Sequence, residues 1–266
     1  MRPLRALLAK ELLVLFGSPL AYVALTLVVL VTALIFFDHL RLYNQTLFLY
    51  ASTNMGGFQT DTVPDYVNLR DTVFFPVMET LGITLIGLVP LVTMRVFAEE
   101  RARGTDELLL TTALSPAAIV AAKFAATYLF VVAMMAASFV YPAMAIAQGG
   151  LGAEHLSAVF LGLTLHAIAL ASLGLACSAW TSSQLVAAVA AWAIGFVLWD
   201  FQWVTSFRFV SERVVALLDA LSLHLRYGSF AEGIVSLGHL AYFVALAAVT
   251  AALARFSFVW RRVSGG

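Results

Sequence analysis

Six apolar runs dominate this chain of 266 residues and limit the folds that it can adopt. A helix crosses the hydrocarbon core of a bilayer with about 20 apolar residues, because each residue advances it by about 1.5 Å. Hydrophobic residues make up 62% of the chain and charged residues 11%, whereas a soluble domain carries about 25% charged residues. We therefore expect an all-α integral membrane protein with six transmembrane helices, at Pro19–Phe37, Val73–Phe97, Ala117–Ile146, Leu156–Cys177, Leu185–Trp203 and Leu237–Phe258.

The polar segments between these runs are short. None is long enough to form a soluble domain, so residues 1–266 are expected to form a single transmembrane domain. Six spans place both termini on one side, with ten lysines and arginines there against five on the other side. Such residues collect on the cytoplasmic side of a membrane. The distribution of bases therefore predicts a multi-pass membrane protein with both termini in the cytoplasm.

The starts of two spans are marked by the same dipeptide. Serine can cap the free amides of a helix start and proline fits the first helical position, as in Ser18-Pro19 and Ser115-Pro116. Pro90 and Pro142 are expected to kink their helices. Lys123 follows soon after the start of the third run. We expect the first turns of that run to stand in the cytoplasm, with the lysine side chain reaching the membrane interface.

Two segments outside the spans are amphipathic. Five N-terminal leucines fall on one helical face, which favours a helix lying in the membrane surface over a cytosolic extension of the first span. Between the fifth and sixth spans, a second apolar stripe is typical either of a helix in the outer leaflet or of a packed cap on the bundle. The leucines are Leu4, Leu7, Leu8, Leu12 and Leu15, and the second stripe is Phe209, Val210, Val214, Leu217, Leu218 and Leu221.

A charged island, residues 97–110, separates the second span from the third. The second span can continue as a helix through Arg103, and Gly104 is expected to end it. Thr105 is suited to cap a short new helix, because the two acids that follow it favour the positive end of a helix dipole. Three leucines come next. A solvated turn that only marked the membrane boundary would avoid them, so docking on a soluble partner is the favoured interpretation.

The order of these segments resembles the permease subunit of ABC-2 type transporters, and in particular its gliding-motility-type branch. The island carries the most specific motif, Phe97-Ala98-Glu99-Glu100-Arg101 followed by Gly104-Thr105-Asp106-Glu107-Leu108-Leu109-Leu110-Thr111. Two further stretches are similar to that branch: Lys10-Glu11-Leu12 with Ser18-Pro19-Leu20-Ala21-Tyr22, and Ser229-Phe230-Ala231-Glu232-Gly233-Ile234-Val235 followed by Tyr242-Phe243. The resemblance covers nearly the whole chain.

The resemblance implies a coupling helix that docks the permease on a separate ATP-binding subunit. In this chain it corresponds to Glu99 through Thr112. ATP and magnesium would be used by that partner and no cofactor bound by this chain, while a second permease, identical or different, would complete the membrane part within the lipid. Export is the implied direction. The residues expected to couple to the ATPase subunit are Glu99, Glu100, Arg101, Arg103, Gly104, Thr105, Asp106, Glu107 and Leu108.

The chain lacks the motifs of a catalytic protein. It has no phosphate-binding G-x-x-x-x-G-K-[ST] loop and no H-E-x-x-H zinc motif, so we expect no ATPase activity, catalytic residue or metal site of its own. Nucleic acid is not an expected partner. An intramembrane enzyme is a further hypothesis, but the sequence offers no convincing pair of nucleophile and base.

His166 lies near the middle of the fourth run, where an ionisable side chain is a candidate transport-path residue. The alternative is a neutral imidazole that bonds to a neighbouring helix. An ion-coupled secondary transporter, the alternative function, needs buried acids or broken helices near the midplane. With only His166 at that depth, the sequence favours the ATP-driven transporter.

Overall fold

A computed structural model describes residues 2–55, 67–106, 114–147, 152–199 and 211–264. Most of these residues are helical and none lies in a β-strand, which confirms the all-α class. Five helical stretches in them are long and apolar enough to cross a membrane, and another apolar helix is shorter. The helices are α1 (Arg2–Phe16), α2 (Pro19–Met55), α3 (Phe75–Thr93), α4 (Arg95–Ala102), α5 (Pro116–Ser138), α6 (Val140–Ala147), α7 (Ala153–Trp180), α8 (Gln184–Trp199), α9 (Glu212–Leu221), α10 (Leu223–Ala231) and α11 (Leu237–Ser264).

The six predicted spans all fall on these helices, with different bounds. The first is only the first half of α2, which has 37 residues. The second begins within a π-helical turn at Arg70–Phe74 and continues through α3 into α4. The fifth is α8, which has 16 residues and is therefore about 24 Å long. Residues 200–203 of that predicted span lie outside the described residues.

The third predicted span is not one continuous helix. It consists of α5 and α6, which meet at Phe139. The break has a local cause, since Pro142 has no amide to donate to the carbonyl of Ser138 and its ring crowds that carbonyl. Pro142 is therefore associated with a break in the helix, as expected, and the break lies one turn before the proline.

Helix α7 forms the centre of the bundle. Of its most apolar stretch 72% is buried, against 28% for α2 and 17% for α11. It packs against α3, α5, α8, α10 and α11. Two glycines permit close approach, because a Cβ on Gly174 would overlap Thr93 Oγ1 and one on Gly162 would overlap the side chain of Phe230. Helices α2 and α11 leave most of their apolar surface for lipid.

Helix α1 is separate from the first span, because the chain turns at Gly17 and Ser18. Helix α1 therefore does not run on into the first span as one continuous helix, and its place in the membrane surface stays a prediction. The helix packs along the start of α5. Leu7 and Leu15 of the leucine stripe are buried against this helix, whereas Leu4 is exposed. Glu11, one turn from each buried leucine, is buried with them.

The two described helices of the outer segment differ in burial. Helix α9 has no buried residue, and its apolar side chains Val214, Leu217 and Leu221 are exposed. Helix α10 buries one complete face on the bundle, formed by Leu223, Tyr227, Phe230 and Ala231. The packed-cap interpretation is therefore wrong for the described part of the predicted stripe, and the helix that caps the bundle is α10, which lies outside that stripe. Phe209 and Val210 of the predicted stripe lie outside the described residues.

Candidate functional site

The charged island begins on α4, which continues the second span beyond Met94. This helix ends at Ala102, one residue before the predicted end. Gly104 has φ 68°, a left-handed conformation that glycine adopts without steric penalty, so the predicted break is confirmed. The hydroxyl of Thr105 donates to the carbonyl of Glu100 at 3.1 Å. Asp106, the first residue of the helix that Thr105 is expected to cap, is helical. Glu107, Leu108 and the rest of 107–113 lie outside the described residues.

Four charges on three helices form a closed ring at the root of the island. Lys10 Nζ lies 2.9 Å from Glu11 Oε1 and 2.5 Å from Glu100 Oε1. Lys123 Nζ lies 3.0 Å from Glu11 Oε2 and 2.8 Å from Glu100 Oε2. Each carboxylate oxygen thus faces one lysine. The ring joins α1, the end of α4 and the start of α5 by charge-assisted contacts, which are stronger than neutral hydrogen bonds.

Lys123 does not reach the membrane interface, and that prediction is wrong. Its side chain has no exposed surface. Its ammonium instead contacts the two carboxylates and donates to the carbonyl of Val96 at 3.0 Å, and it lies 5.3 Å from the centroid of the Phe97 ring. A buried ammonium is tolerated when its charge is paired and its protons are bonded. Those partners come from α1 and α4, and they replace the water that snorkelling would have supplied.

Lys10 closes the ring from the solvent side, with about half of its side chain exposed. Partial burial lowers the pKa of Lys10, but its hydrogen bonds to Glu100 and Glu11 outweigh this, and the net effect raises the pKa above its ordinary value. Lys10 therefore stays charged at physiological pH. Beside it, Val14 and Leu15 of α1 and Arg95 and Glu99 of α4 line a pocket of about 450 Å³.

Glu99 organises the exposed flank of α4. Its carboxylate lies 2.8 Å from Arg95 Nε and 2.6 Å from Arg103 Nη2. Arg95 also donates to the hydroxyl of Ser18 at the start of the first span. Arg103 is 71% exposed, so it is the basic side chain of this flank that a soluble partner can reach.

Arg101 fixes the opposite side of α4 to the rest of the bundle. It is only 5% exposed, and its Nε lies 3.8 Å from Asp106 Oδ2. It also donates to the carbonyl of Thr181, in the turn between α7 and α8, at 3.2 Å. Arg261 near the end of α11 lies 3.7 Å from the same Asp106 oxygen. The predicted residues Glu99, Glu100, Arg101, Arg103 and Asp106 therefore lie in one ion-paired platform.

His166 lies far from this platform, within α7. It is fully buried, and its Nε2 lies 3.1 Å from the carbonyl of Gly82 on α3. The rings of Trp199 and Tyr227 lie 5.0 and 5.2 Å from the imidazole. This bond to a neighbouring helix is the contact that the alternative interpretation of His166 expects. Its place in a transport path stays a prediction.

Sequence reasoning did not identify Lys10, Glu11, Lys123 and Ser178 as functional residues. The hydroxyl of Ser178 on α7 bonds to the backbone of Met94, Phe97 and Ala98, where α4 begins. The sequence does indicate Glu11, because an acid one turn from both Leu7 and Leu15 interrupts an apolar helix face. It does not indicate Ser178, since a serine in an apolar helix is common in membrane proteins.

Comparison with known protein families identifies the family of this chain. A family model described as "ABC-2 family transporter protein" matches residues 42–210, more than half of the chain. The match includes α3, α4, α5 and α7 and thus most of the platform. A comparison with curated proteins gave no significant match.

Proposed function

This chain belongs to the ABC-2 transporter family, and we propose that it is the permease of an ATP-driven exporter. As a family member it is a multi-pass membrane component of an ABC transporter and not the ATPase itself. The proposal adds that a separate subunit binds ATP and magnesium, and that a second permease completes the membrane part. It further adds that substrate leaves across the bacterial inner membrane, with both termini of this chain in the cytoplasm.

The ionic ring of Lys10, Glu11, Glu100 and Lys123 is the observation that carries this proposal. The ring lies near the end of α4. Its member Glu100 is the second residue of the segment Glu99–Thr112, which we propose as the coupling helix. Because the ring joins α4 to α1 and α5, a displacement of the segment is passed directly to the third span. A boundary turn without a partner would not need buried ion pairs, which are expensive to form away from water.

The branch of the family is part of the proposal. We assign the chain to the gliding-motility-type permeases on three motifs, the island, Lys10-Glu11-Leu12 and the stretch Ser229–Val235. All three motifs contribute to contacts of the folded chain: Glu100 and Glu11 belong to the ring, and Phe230 packs against Gly162.

The test is purification of the tagged chain from its own membranes in mild detergent. We expect a soluble ATPase to co-purify, and Arg103→Glu to lower either its recovery or its activity in lipid. Arg41→Glu is the matched control, because Arg41 is equally exposed, at 68%, but is predicted to lie on the other side of the membrane. Absence of any ATPase from the purified complex would refute the proposal.

Orientation is tested separately by thiol labelling. Ala102→Cys, in a background with Cys177→Ala, places one exposed thiol at the end of α4. An impermeant maleimide should label it in inverted vesicles and not in intact spheroplasts. Labelling from outside the spheroplasts would place the platform on the wrong side for an ATPase.

A further inference from the structure

A hydroxyl group of the fourth span is inserted into the backbone of the second span. Ser178 Oγ donates to the carbonyl of Met94 at 2.7 Å. It also accepts from the amides of Phe97 at 3.1 Å and Ala98 at 3.0 Å. In an unbroken helix the carbonyl of Met94 would accept the amide of Ala98 directly. The hydroxyl therefore takes the place of a backbone hydrogen bond, which is one of the recognised causes of a helix bend.

The break at Met94 is local and well supported. Met94 is the single turn residue between Arg70 and Ala102. Pro90, one turn earlier, has no amide for the helix and weakens it near the same point. Thr93 faces Gly174, which lies one turn before Ser178 on α7. Two small residues of the fourth span, Gly174 and Ser178, therefore contact Thr93 and Met94, where the helix of the second span is interrupted.

The two sides of the break belong to different environments. Helix α3, before it, is apolar and packs among α2, α7, α8 and α10. Helix α4, after it, is tied by ion pairs to Lys10 and Lys123, and by Asp106 to Arg261. Phe97 of α4 also packs against Phe258 of α11, with ring centroids 5.4 Å apart. Helix α4 is therefore held by the charged platform as well as by its contacts with α7 and α8, whereas α3 packs within the membrane bundle alone.

We propose that Met94 is a joint in the second span and that Ser178 is the residue that positions it. This inference rests on the proposed function, in which the segment after α4 receives the movement of the ATPase subunit. A serine hydroxyl offers one donor and two acceptor positions, and all three are occupied here. The backbone groups at the break therefore keep partners while the angle between α3 and α4 changes, in a region without water to replace them.

The joint predicts that α4 moves relative to the bundle while α3 does not. Spin labels at Ala102 on α4 and at Leu161 on α7 report the first movement. A second pair of labels, at Ile83 on α3 and at Leu161, reports whether α3 moves relative to α7. Both Ile83 and Leu161 are more than a third exposed. The labels are introduced into the Cys177→Ala variant, which is reconstituted with the co-purified ATPase. The labelled chain is diluted with unlabelled chain, so that the measured distances are those within one chain.

Distances are compared without nucleotide and with ATP and vanadate. We expect the Ala102–Leu161 distance to shift by about 1–2 Å or more, the usual size of a helix displacement in switching proteins, while the Ile83–Leu161 distance stays fixed. Equal shifts of both pairs would describe a rigid second span and overturn the joint, although the ATPase would still bind. If no ATPase binds at all, the proposed function fails and the joint fails with it.

The role of Ser178 is tested by removing and restoring its hydroxyl. Ser178→Ala should abolish the shift of the Ala102–Leu161 pair while the ATPase still co-purifies, and Ser178→Thr should restore it. Ser138→Ala is the matched control, because Ser138 is equally buried but its hydroxyl bonds only to Met135 of its own helix. An unchanged shift in Ser178→Ala would show that the hydroxyl does not position the joint.

Discussion

Lys123 and Glu100 form an ion pair of 2.8 Å between Nζ and Oε2, and the lysine side chain has no exposed surface. The same ammonium contacts Glu11 at 3.0 Å and the carbonyl of Val96 at 3.0 Å. The ammonium thus donates two hydrogen bonds, to Glu11 and to the carbonyl of Val96, and its contact with Glu100 is an ion pair. Lys123 is consequently the point at which α1, α4 and α5 meet.

Loss of this lysine is expected to destabilise the protein strongly. Lys123→Met should lower the free energy of unfolding by about 3–5 kcal/mol, because the buried carboxylates lose their partner. The measurement is unfolding in mixed micelles with increasing sodium dodecyl sulfate. Arg41→Met is the control, since its pair with Asp38 is exposed and such pairs contribute at most about 1 kcal/mol. Equal effects of the two variants would contradict the buried pair.

A triple variant separates the effect of the buried charges on stability from the effect of side-chain packing in the ring. Glu11→Leu and Glu100→Met, added to Lys123→Met, remove both carboxylates as well as the lysine. We expect much of the lost stability to return, because apolar residues of similar size often replace buried ion pairs at little net change. A further loss would instead mean that the carboxylates have stabilising partners beyond Lys123 and Lys10.

Gly104 is expected to be required for its backbone conformation and not for its size. It has φ 68°, and a Cβ there would meet nothing within 4 Å. Gly104→Ala should therefore destabilise the turn by about 1–2 kcal/mol, the penalty of a left-handed residue. Gly104→Pro should have the larger effect, because proline fixes φ near −65°. The readouts are the unfolding free energy and the recovery of the co-purified ATPase.

Gly87→Ala is the matched control for Gly104. A methyl group at Gly87 would also enter open space, but this glycine lies inside α3 with a helical backbone. Alanine is favoured over glycine in a helix by up to about 1 kcal/mol. The control should therefore be neutral or stabilising, and a loss in Gly87→Ala as large as in Gly104→Ala would remove the conformational explanation.

Hydropathy was sufficient to predict the helices of the bundle, because a bilayer sets a minimum length for each apolar run. It was insufficient for the contacts between them. Lys123 and Glu11 are separated by 112 positions, and nothing in the apolar run around Lys123 indicates which acid will pair with it. Gly104, in contrast, was predicted correctly as a break, since that prediction depends only on local backbone freedom.

Close approach of α3 and α7 should make Gly174 intolerant of a side chain. A Cβ there would overlap Thr93 Oγ1 and lie 3.0 Å from Thr93 Cβ. Gly174→Ala is expected to destabilise the bundle by about 1–3 kcal/mol through overpacking. Adding Thr93→Ala removes the nearer atom and should recover part of the loss, which gives a coupling energy of about 0.5–3 kcal/mol in a double-mutant cycle. Strict additivity of the two changes would contradict the contact.

Tyr227 is expected to hold α10 against the bundle by one hydrogen bond. It has no exposed surface, and its hydroxyl donates to the carbonyl of Met78 on α3 at 2.8 Å. Tyr227→Phe removes the hydroxyl and keeps the ring, so the free energy of unfolding should fall by about 0.5–1.5 kcal/mol, the net value of a typical buried hydrogen bond. Tyr22→Phe is the control, because Tyr22 is 56% exposed on the first span. Proteolysis at α9 and α10 should accelerate in Tyr227→Phe alone, since this variant loosens the packed cap, and equal proteolysis of the two variants would show that the bond does not hold α10.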